Sequence, residues 1–226
     1  MRKEALDRIF NYEEGRGLAF RFRQKRGAIF RDFVETHFAD RPSLKIIDLG
    51  GTEEFWISVG YDYLRSRNIS IDLLNLFPIE VQNTDLFSAV EGDACTFSPE
   101  QRYDICFSNS VIEHVGETRR ILEFRDTVCR IADSYFIQTP NFYFPIEPHF
   151  VFPCFHWLPK VVQVGLNRRF TLGHMTKSAN LLDAYLTVES CNILRPNVFK
   201  ALFPEATIVR ERLFGLCKSM IALKAS

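Results

Sequence analysis

Residues 44–57 read LKIIDLGGTEEFWI, and this stretch decides the fold. A short apolar run stops at Gly50 and Gly51 and passes into a polar and aromatic segment. The pattern predicts a buried strand, a glycine turn and the start of a helix. Glycines let the backbone approach a ligand closely, and the first N–H groups of a helix can bind an anion. The turn is therefore the first candidate for a binding site.

Further apolar runs predict a sheet that continues from this unit. Four more strands are expected, over residues 69–76, 87–91, 103–108 and 134–138. Helical or crossover segments separate them, including a predicted helix over 119–131, so the α/β sheet should be mainly parallel and covered on both faces. A short helix is expected over 198–203. Residues 206–213 and 216–223 flank Gly215 and predict a closing antiparallel hairpin.

The N-terminal part of the chain predicts an amphipathic helix over residues 18–38. Its apolar positions, such as Phe30, Phe33 and Val34, recur among charged residues. Because acidic residues are interspersed and the net charge is zero, we expect the basic residues to form a solvated helix face. These basic residues are Arg16, Arg21, Arg23, Lys25, Arg26 and Arg31.

Length and composition narrow the class of protein. The 226 residues favour one domain, and 28 Lys and Arg balance 28 Asp and Glu, which argues against a dedicated nucleic-acid binder. The six cysteines show no zinc-site or short-disulfide spacing, so free thiols are expected. The sequence contains no secretory pattern and no apolar run of about 18 residues. We therefore expect a soluble, cytoplasmic protein without a transmembrane segment.

Polar residues stand where the predicted strands end. Asn75 lies near the end of the second strand, Asp93 follows the third, and Asn109 and Ser110 follow the fourth. Ligands of a doubly wound sheet bind outside the carboxyl ends of the strands, so these residues should share a cleft with the glycine turn. Taken alone, a Gly-Gly pair after a strand is more often only a tight turn, and an acid such as Asp93 is usually a helix N-cap. Their ordered occurrence is what indicates a site.

Three motifs in this order resemble those of class I S-adenosylmethionine-dependent methyltransferases. Residues 46–52 (IIDLGGT) look like the glycine-rich first motif, 92–94 (GDA) like the adenine-contacting turn, and 103–115 (YDICFSNSVIEHV) like the strand-four motif of the small-molecule, type 11-like subgroup. The resemblance implies a Rossmann-like, doubly wound sheet of seven strands, S-adenosyl-L-methionine as cofactor and a small-molecule acceptor. The implied cofactor-binding residues are Asp48, Gly50, Gly51, Thr52, Asn75, Asp93, Ala94, Asn109 and Ser110.

On this interpretation the single methyltransferase domain has four segments. An N-terminal helical cap covers residues 1–40, and the cofactor-binding core covers 44–138. An insertion that forms an acceptor lid covers 139–190, and the last helix and hairpin cover 191–226. The expected reaction is methyl transfer by in-line displacement, with O- or N-methylation favoured. The sequence predicts no particular oligomeric state.

Two departures from the family pattern keep alternatives open. Thr52 and Glu53 stand where the first motif usually has further glycine, and Asn75 stands where an acid usually ends strand two. An amide cannot give the charge-assisted bond of a carboxylate, so a non-catalytic cofactor-binding homologue is an alternative, with Asp72 as a substitute acid. A nicotinamide-dependent oxidoreductase is more remote, because it needs G-x-G-x-x-G and an acid about 20 residues later.

The acceptor side is predicted in residues 139–159, TPNFYFPIEPHFVFPCFHWLP. Prolines forbid a long helix there, and the aromatic residues are too dense for a solvated loop. A packing insertion and a lid over the acceptor are both consistent with this composition. The candidate substrate-contacting residues are Tyr143, Glu147, His149, His156 and Trp157.

Two histidines are candidate general bases. His114 follows the fourth strand and His149 lies in the aromatic segment, and imidazole titrates near neutrality. A structural histidine is an equally good interpretation of either. The His and Glu residues of the insertion lack a recognised metal-ligand spacing, so we expect no metal site.

Overall fold

A computed structural model of the protein describes residues 18–146, 152–171 and 175–226. Its centre is a seven-stranded sheet in the order β3-β2-β1-β4-β5-β7-β6. The strands are β1 (Leu44–Leu49), β2 (Ile69–Asn75), β3 (Phe87–Glu91), β4 (Tyr103–Asn109), β5 (Ala132–Pro140), β6 (Thr207–Leu213) and β7 (Leu216–Lys224).

The order in which the strands are added to the sheet reverses once, between β3 and β4. Strand β1 pairs in parallel with β2 on one side and with β4 on the other. The chain therefore moves outward from β1 to β3 and then returns across β1 to form β4. Strand β7 is antiparallel to both β5 and β6, so the closing hairpin predicted from the sequence is confirmed.

Helices cover both faces of the sheet and build an insertion after β5. The helices are α1 (Leu18–His37), α2 (Glu53–Trp56), α3 (Tyr61–Ser66), α4 (Thr118–Ile131), α5 (Lys160–Asn167), α6 (Leu181–Glu189) and α7 (Pro196–Leu202). Within residues 18–146, 152–171 and 175–226, no helix is long and apolar enough to cross a membrane.

The core has one apolar cluster on each face of the sheet. On one face, α4 and α7 place Phe124 and Phe199 against the strands. On the other face, Phe30 of α1 packs edge-on against Phe107 and Phe136, with ring centroids 5.5 Å apart in each pair. The N-terminal helix is therefore part of the core that supports β4 and β5.

Helices α5 and α6 lie in the insertion, where the sequence analysis predicted none. The prolines do not prevent them, because Pro159 directly precedes α5, a position where a missing N–H costs nothing. Asn180 caps α6 by accepting a hydrogen bond from the Asp183 N–H, at 2.9 Å. These helices surround a small core of their own that contains Phe155, Val164 and Val188.

The expectation that the basic residues of α1 are all solvated is wrong for Arg26. Its side chain is buried, and Nη2 lies 2.6 Å from the Glu211 carboxylate on β6. The guanidinium also donates to Asn109 at the end of β4. Arg26 thus ties α1 to two strands, because a buried cation requires a charged partner.

We predict that breaking the Arg26–Glu211 pair strongly destabilises the fold. Because each single variant leaves one buried charge, Arg26→Met or Glu211→Leu should lower the free energy of unfolding by about 3–5 kcal/mol, and the double variant should cost less than the sum. Arg102→Met, which removes an exposed ion pair with Asp133, is the control and should cost at most about 1 kcal/mol. Urea titration measures all four; equal small losses for Arg26 and Arg102 would contradict the account.

Candidate functional site

A cleft opens at the carboxyl ends of the strands, beside the reversal between β1 and β4. Its volume is about 370 Å³, within the range of small-molecule pockets. Its polar wall consists of Asn75, Asp93, His114 and Arg120. The rest of the lining is backbone and apolar surface, from Gly50, Leu74, Leu76, Phe77, Ile79, Gly92, Ala94, Val111 and Val115.

The two glycines of the turn are required for different reasons. Gly50 has a φ of +75°, and a Cβ there would lie 2.8 Å from the side chain of Val111. A Cβ on Gly51 would lie 1.8 Å from Asp48 Oδ2, so the space is already filled by that carboxyl group. Only Gly50 of the pair lines the cleft. The absence of a side chain at residue 51 serves the packing of Asp48.

Asp48 is a buried acid beneath the turn. Its Oδ2 accepts a hydrogen bond of 2.9 Å from Trp56 Nε1, and its Oδ1 has no hydrogen-bond partner among the described residues. Burial raises the pKa of Asp48 to about 7, although the Trp56 bond opposes this effect. Asp48 therefore links β1 to α2 and does not itself line the cleft.

Asn75 uses its amide to hold the glycine turn. Its Nδ2 donates to the Gly51 carbonyl at 2.9 Å, a bond that a carboxylate could not make. The side chain also lines the cleft, with Oδ1 as its acceptor atom. Asp72 lies in the middle of β2 and accepts a hydrogen bond from the Tyr103 hydroxyl, at 2.7 Å. It therefore does not take the place of an acid at the strand end.

Asp93 is held on both oxygens by its neighbours. Oδ1 accepts a hydrogen bond of 2.9 Å from the Cys95 N–H, and Oδ2 forms an ion pair with Arg120 of α4. Burial alone would raise the pKa of Asp93, but the bonds from Cys95 and Arg120 outweigh it and hold the pKa below its usual value. The carboxylate is therefore ionised and available as an acceptor at the cleft wall.

Of the other predicted cofactor residues, Ala94 lines the cleft, whereas Thr52, Asn109 and Ser110 do not. The Asn109 oxygen accepts from Arg26, and the Ser110 hydroxyl donates to Gln138 Oε1 at 2.8 Å. Thr52 lies exposed at the start of α2 without a side-chain capping bond. Glu53, which follows it, accepts hydrogen bonds from the backbone and side chain of Asn83, and so anchors the loop before β3.

His114 lines the cleft, at the end of a short 3-10 turn over Ile112–His114. Its Nδ1 lies 2.9 Å from the Ser190 carbonyl, so Nδ1 donates and Nε2 is the basic nitrogen of the neutral ring. The adjacent Glu113 is buried and accepts a hydrogen bond from the Thr139 hydroxyl. It supports the turn that carries His114.

Two side chains of the aromatic segment bond to a backbone carbonyl of the same segment. Both His156 Nε2 and Trp157 Nε1 lie 2.7 Å from the Phe142 carbonyl, which fixes the two side chains beside each other. Tyr143 is exposed. The candidates Glu147 and His149 lie outside the described residues. In the parts of the chain that the structure describes, no three His, Cys, Asp or Glu are grouped to hold a metal ion.

Arg120 and Phe77 are cleft residues that the sequence analysis missed. Phe77 is 77% exposed in the loop after β2, although aromatic side chains are usually buried. Its position two residues after Asn75 was the available signal. Arg120 comes from the first turn of α4, 27 residues after Asp93, and no local pattern joins the two.

Solved structures share the fold at low sequence identity. The methyltransferase domain of a bacterial Hen1 protein has a TM-score of 0.52 at 12% identity, with coverage of 88% of this chain and 97% of that chain. Magnesium protoporphyrin IX methyltransferase from Synechocystis PCC 6803, solved with bound SAH, has a TM-score of 0.52 at 8% identity, with coverage of 89% and 83%.

A protein from Rhodobacter sphaeroides, named as a candidate zinc-dependent alcohol dehydrogenase, has a TM-score of 0.54 at 11% identity, with coverage of 88% and 87%. At such identities these likenesses show the fold alone, which is a Rossmann-like α/β fold with a C-terminal antiparallel strand pair.

Curated relatives match only a short part of the chain. Two uncharacterised proteins from two strains of Mycobacterium tuberculosis are each 37% identical over 59 residues, which is 26% of this chain. The match spans 20% of the length of each of these relatives. No family model matches the chain.

We predict that Asp48 makes the fold less stable as the pH rises. A buried acid with a pKa of about 7, against about 3.8 in the unfolded chain, binds its proton more tightly when folded. The stabilisation that comes from this tighter proton binding is complete below pH ~4. It is lost as the pH rises towards 7, at about 1.4 kcal/mol of unfolding free energy per pH unit. Asp48→Asn should flatten this part of the curve, whereas Asp85→Asn should not. Urea unfolding at several pH values tests this; parallel curves for Asp48→Asn and the parent would contradict it.

Proposed function

We propose that the protein transfers a methyl group from S-adenosylmethionine to a small-molecule acceptor. The observation that carries this proposal is the cleft at the sheet reversal, where Gly50, Asn75 and Asp93 follow three adjacent parallel strands. In doubly wound sheets this edge is where ligands bind. The motif resemblance and the methyltransferases among the solved structures of the same fold support the same assignment.

The cleft residues fit an adenosyl group. Gly50 leaves room for the ligand beside its backbone, and Asn75 Oδ1 can accept a hydrogen bond from a ribose hydroxyl. The Asp93 carboxylate can accept one from the adenine amine, with Arg120 giving way or sharing that oxygen. Phe77 and Ile79 supply an apolar surface for the adenine ring. Each role uses a residue that lines the cleft.

Alignment is the main task of these residues. S-adenosylmethionine supplies an activated methyl group on a sulfonium, so the protein needs only to hold donor and acceptor in line. Correct positioning can contribute roughly 7–11 kcal/mol, whereas a general base adds about 10²- to 10⁴-fold in rate.

His114 is positioned to act as the base. It lines the same cleft, and the bond from Nδ1 to the Ser190 carbonyl orients the ring with Nε2 as the proton acceptor. We propose that Nε2 takes the proton of an acceptor hydroxyl or amine as the new bond to the methyl carbon forms. The reaction would then release S-adenosylhomocysteine. O- and N-methylation are both consistent with this chemistry.

Calorimetry with S-adenosylhomocysteine tests cofactor binding. We expect Asp93→Ala to weaken binding by about tenfold, because a hydrogen bond to a charged group is worth roughly 1.5–3 kcal/mol. Asp85→Ala is the matched control, since Asp85 also pairs with an arginine, Arg65, but does so at the exposed surface. Its affinity should equal that of the parent. If neither S-adenosylmethionine nor S-adenosylhomocysteine gives heat and a nicotinamide cofactor binds instead, the protein is an oxidoreductase and the proposal is wrong.

Catalysis by His114 is tested by matched histidine variants. His114→Asn keeps a donor for the Ser190 carbonyl but removes the basic nitrogen, so methyl transfer should fall by about 10²- to 10⁴-fold, with unchanged S-adenosylhomocysteine affinity. His37→Gln, which changes an exposed histidine at the end of α1, should retain activity within a few-fold. Single-turnover rates are measured with an acceptor found by screening small-molecule pools. Full activity of His114→Asn would show that alignment alone carries the reaction.

A further inference from the structure

A β-bulge interrupts the terminal hairpin. Glu211 of β6 pairs with Ser219 of β7, but the next residue, Arg212, pairs with Cys217. Lys218 is therefore an extra residue on β7. Bulges redirect the side chain of the inserted residue and are common beside active sites.

The side chain of Lys218 reaches the ring of Phe22 in α1. Nζ lies 4.0 Å from the ring centroid, and Phe22 is itself buried. A cation above an aromatic face is attracted by the ring quadrupole, which partly replaces lost hydration. Among the described residues, no carboxylate forms an ion pair with Lys218, whereas Arg26 forms one with Glu211.

The charges around Lys218 do not balance. Among the buried and half-buried side chains, Arg26 and Lys218 contribute two positive charges, and Glu211 contributes one negative charge that is already bonded to Arg26. Lys25, whose Nζ lies 6.0 Å from the Phe22 ring centroid, adds a further positive charge at the exposed surface. Burial, with the repulsion from Arg26, lowers the pKa of Lys218 to about 8 despite the attraction of Glu211. An uncompensated cation in a partly desolvated site favours the binding of an anion.

This cluster lies at the same sheet edge as the cleft. The Lys218 carbonyl accepts a hydrogen bond of 3.0 Å from the N–H of Asn141, the residue after β5. Arg26 donates to Asn109 at the end of β4, two residues before Val111, which lines the cleft. The cluster is therefore on the β4–β5–β7 side of the edge, and the cleft is on the β1–β2–β3 side.

We propose that Lys218, held over the ring of Phe22, binds a carboxylate of the methyl acceptor. The inference rests on the proposed function and specifies the class of acceptor. The site favours a monoanion, because one negative charge neutralises the buried part of the cluster, whereas a phosphate dianion would leave negative charge next to the buried Glu211. Lys218 is thus a specificity residue for carboxylate-bearing acceptors.

Binding of small probes to the protein tests the proposal without knowledge of the acceptor. Benzoate, benzamide and phenyl phosphate are titrated by NMR, with and without S-adenosylhomocysteine. Benzoate should bind the parent at least tenfold more tightly than benzamide. Lys218→Met should weaken benzoate binding by about tenfold, the loss of one charge-assisted hydrogen bond. Lys218→Arg should stay within a few-fold. Lys200→Met, which removes the same charge from the exposed face of α7, should bind benzoate like the parent.

The outcomes separate this inference from the proposed function. Equal benzoate affinity in Lys218→Met and Lys200→Met would overturn the role of Lys218. Tighter binding of phenyl phosphate than of benzoate would overturn the carboxylate assignment. Binding of S-adenosylhomocysteine without any binding of benzoate would overturn the inference and leave methyl transfer standing. Binding of benzoate without S-adenosylhomocysteine binding would support an anion site and contradict the methyltransferase assignment.

Discussion

The Asp48 carboxyl group fills the space that any side chain at residue 51 would need, and it is held there by the Trp56 indole. Burial of a charged carboxylate costs free energy. Because burial raises the pKa of Asp48 to about 7, the carboxyl group stays protonated up to near-neutral pH, and this lowers the cost. In return, the end of β1, the glycine turn and α2 are joined at one point. The position of Gly50 at the cleft follows from this arrangement.

The carboxyl edge of the sheet divides into two halves with different side chains. On the side of β1 to β3, Asn75 braces the glycine turn while facing the cleft, and Asp93 stays ionised beside Arg120. On the other side, the Arg26–Glu211 pair and the bulge at Lys218 build a charged cluster. Strand β4 runs between the halves.

Local patterns explain why much of the fold could be predicted. The apolar runs and the glycine turn are short-range signals, and they gave the seven strands nearly to their ends. Arg26 could not be predicted as buried, because its partner Glu211 is 185 residues away in the chain. The bulge at Lys218 depends on the pairing register of two strands. Asp48, Thr52 and Asn109 belong to the quoted motifs, yet a motif does not specify which way each side chain turns.

A crystal structure of the protein grown with S-adenosylhomocysteine would show whether the cleft binds this ligand, because it locates the ligand. We expect electron density in the cleft beside Gly50, with the ribose at Asn75 and the adenine amine at Asp93, and with the Arg120 side chain displaced or sharing that carboxylate. An empty cleft at saturating ligand, or density bound elsewhere on the molecule, would contradict this expectation.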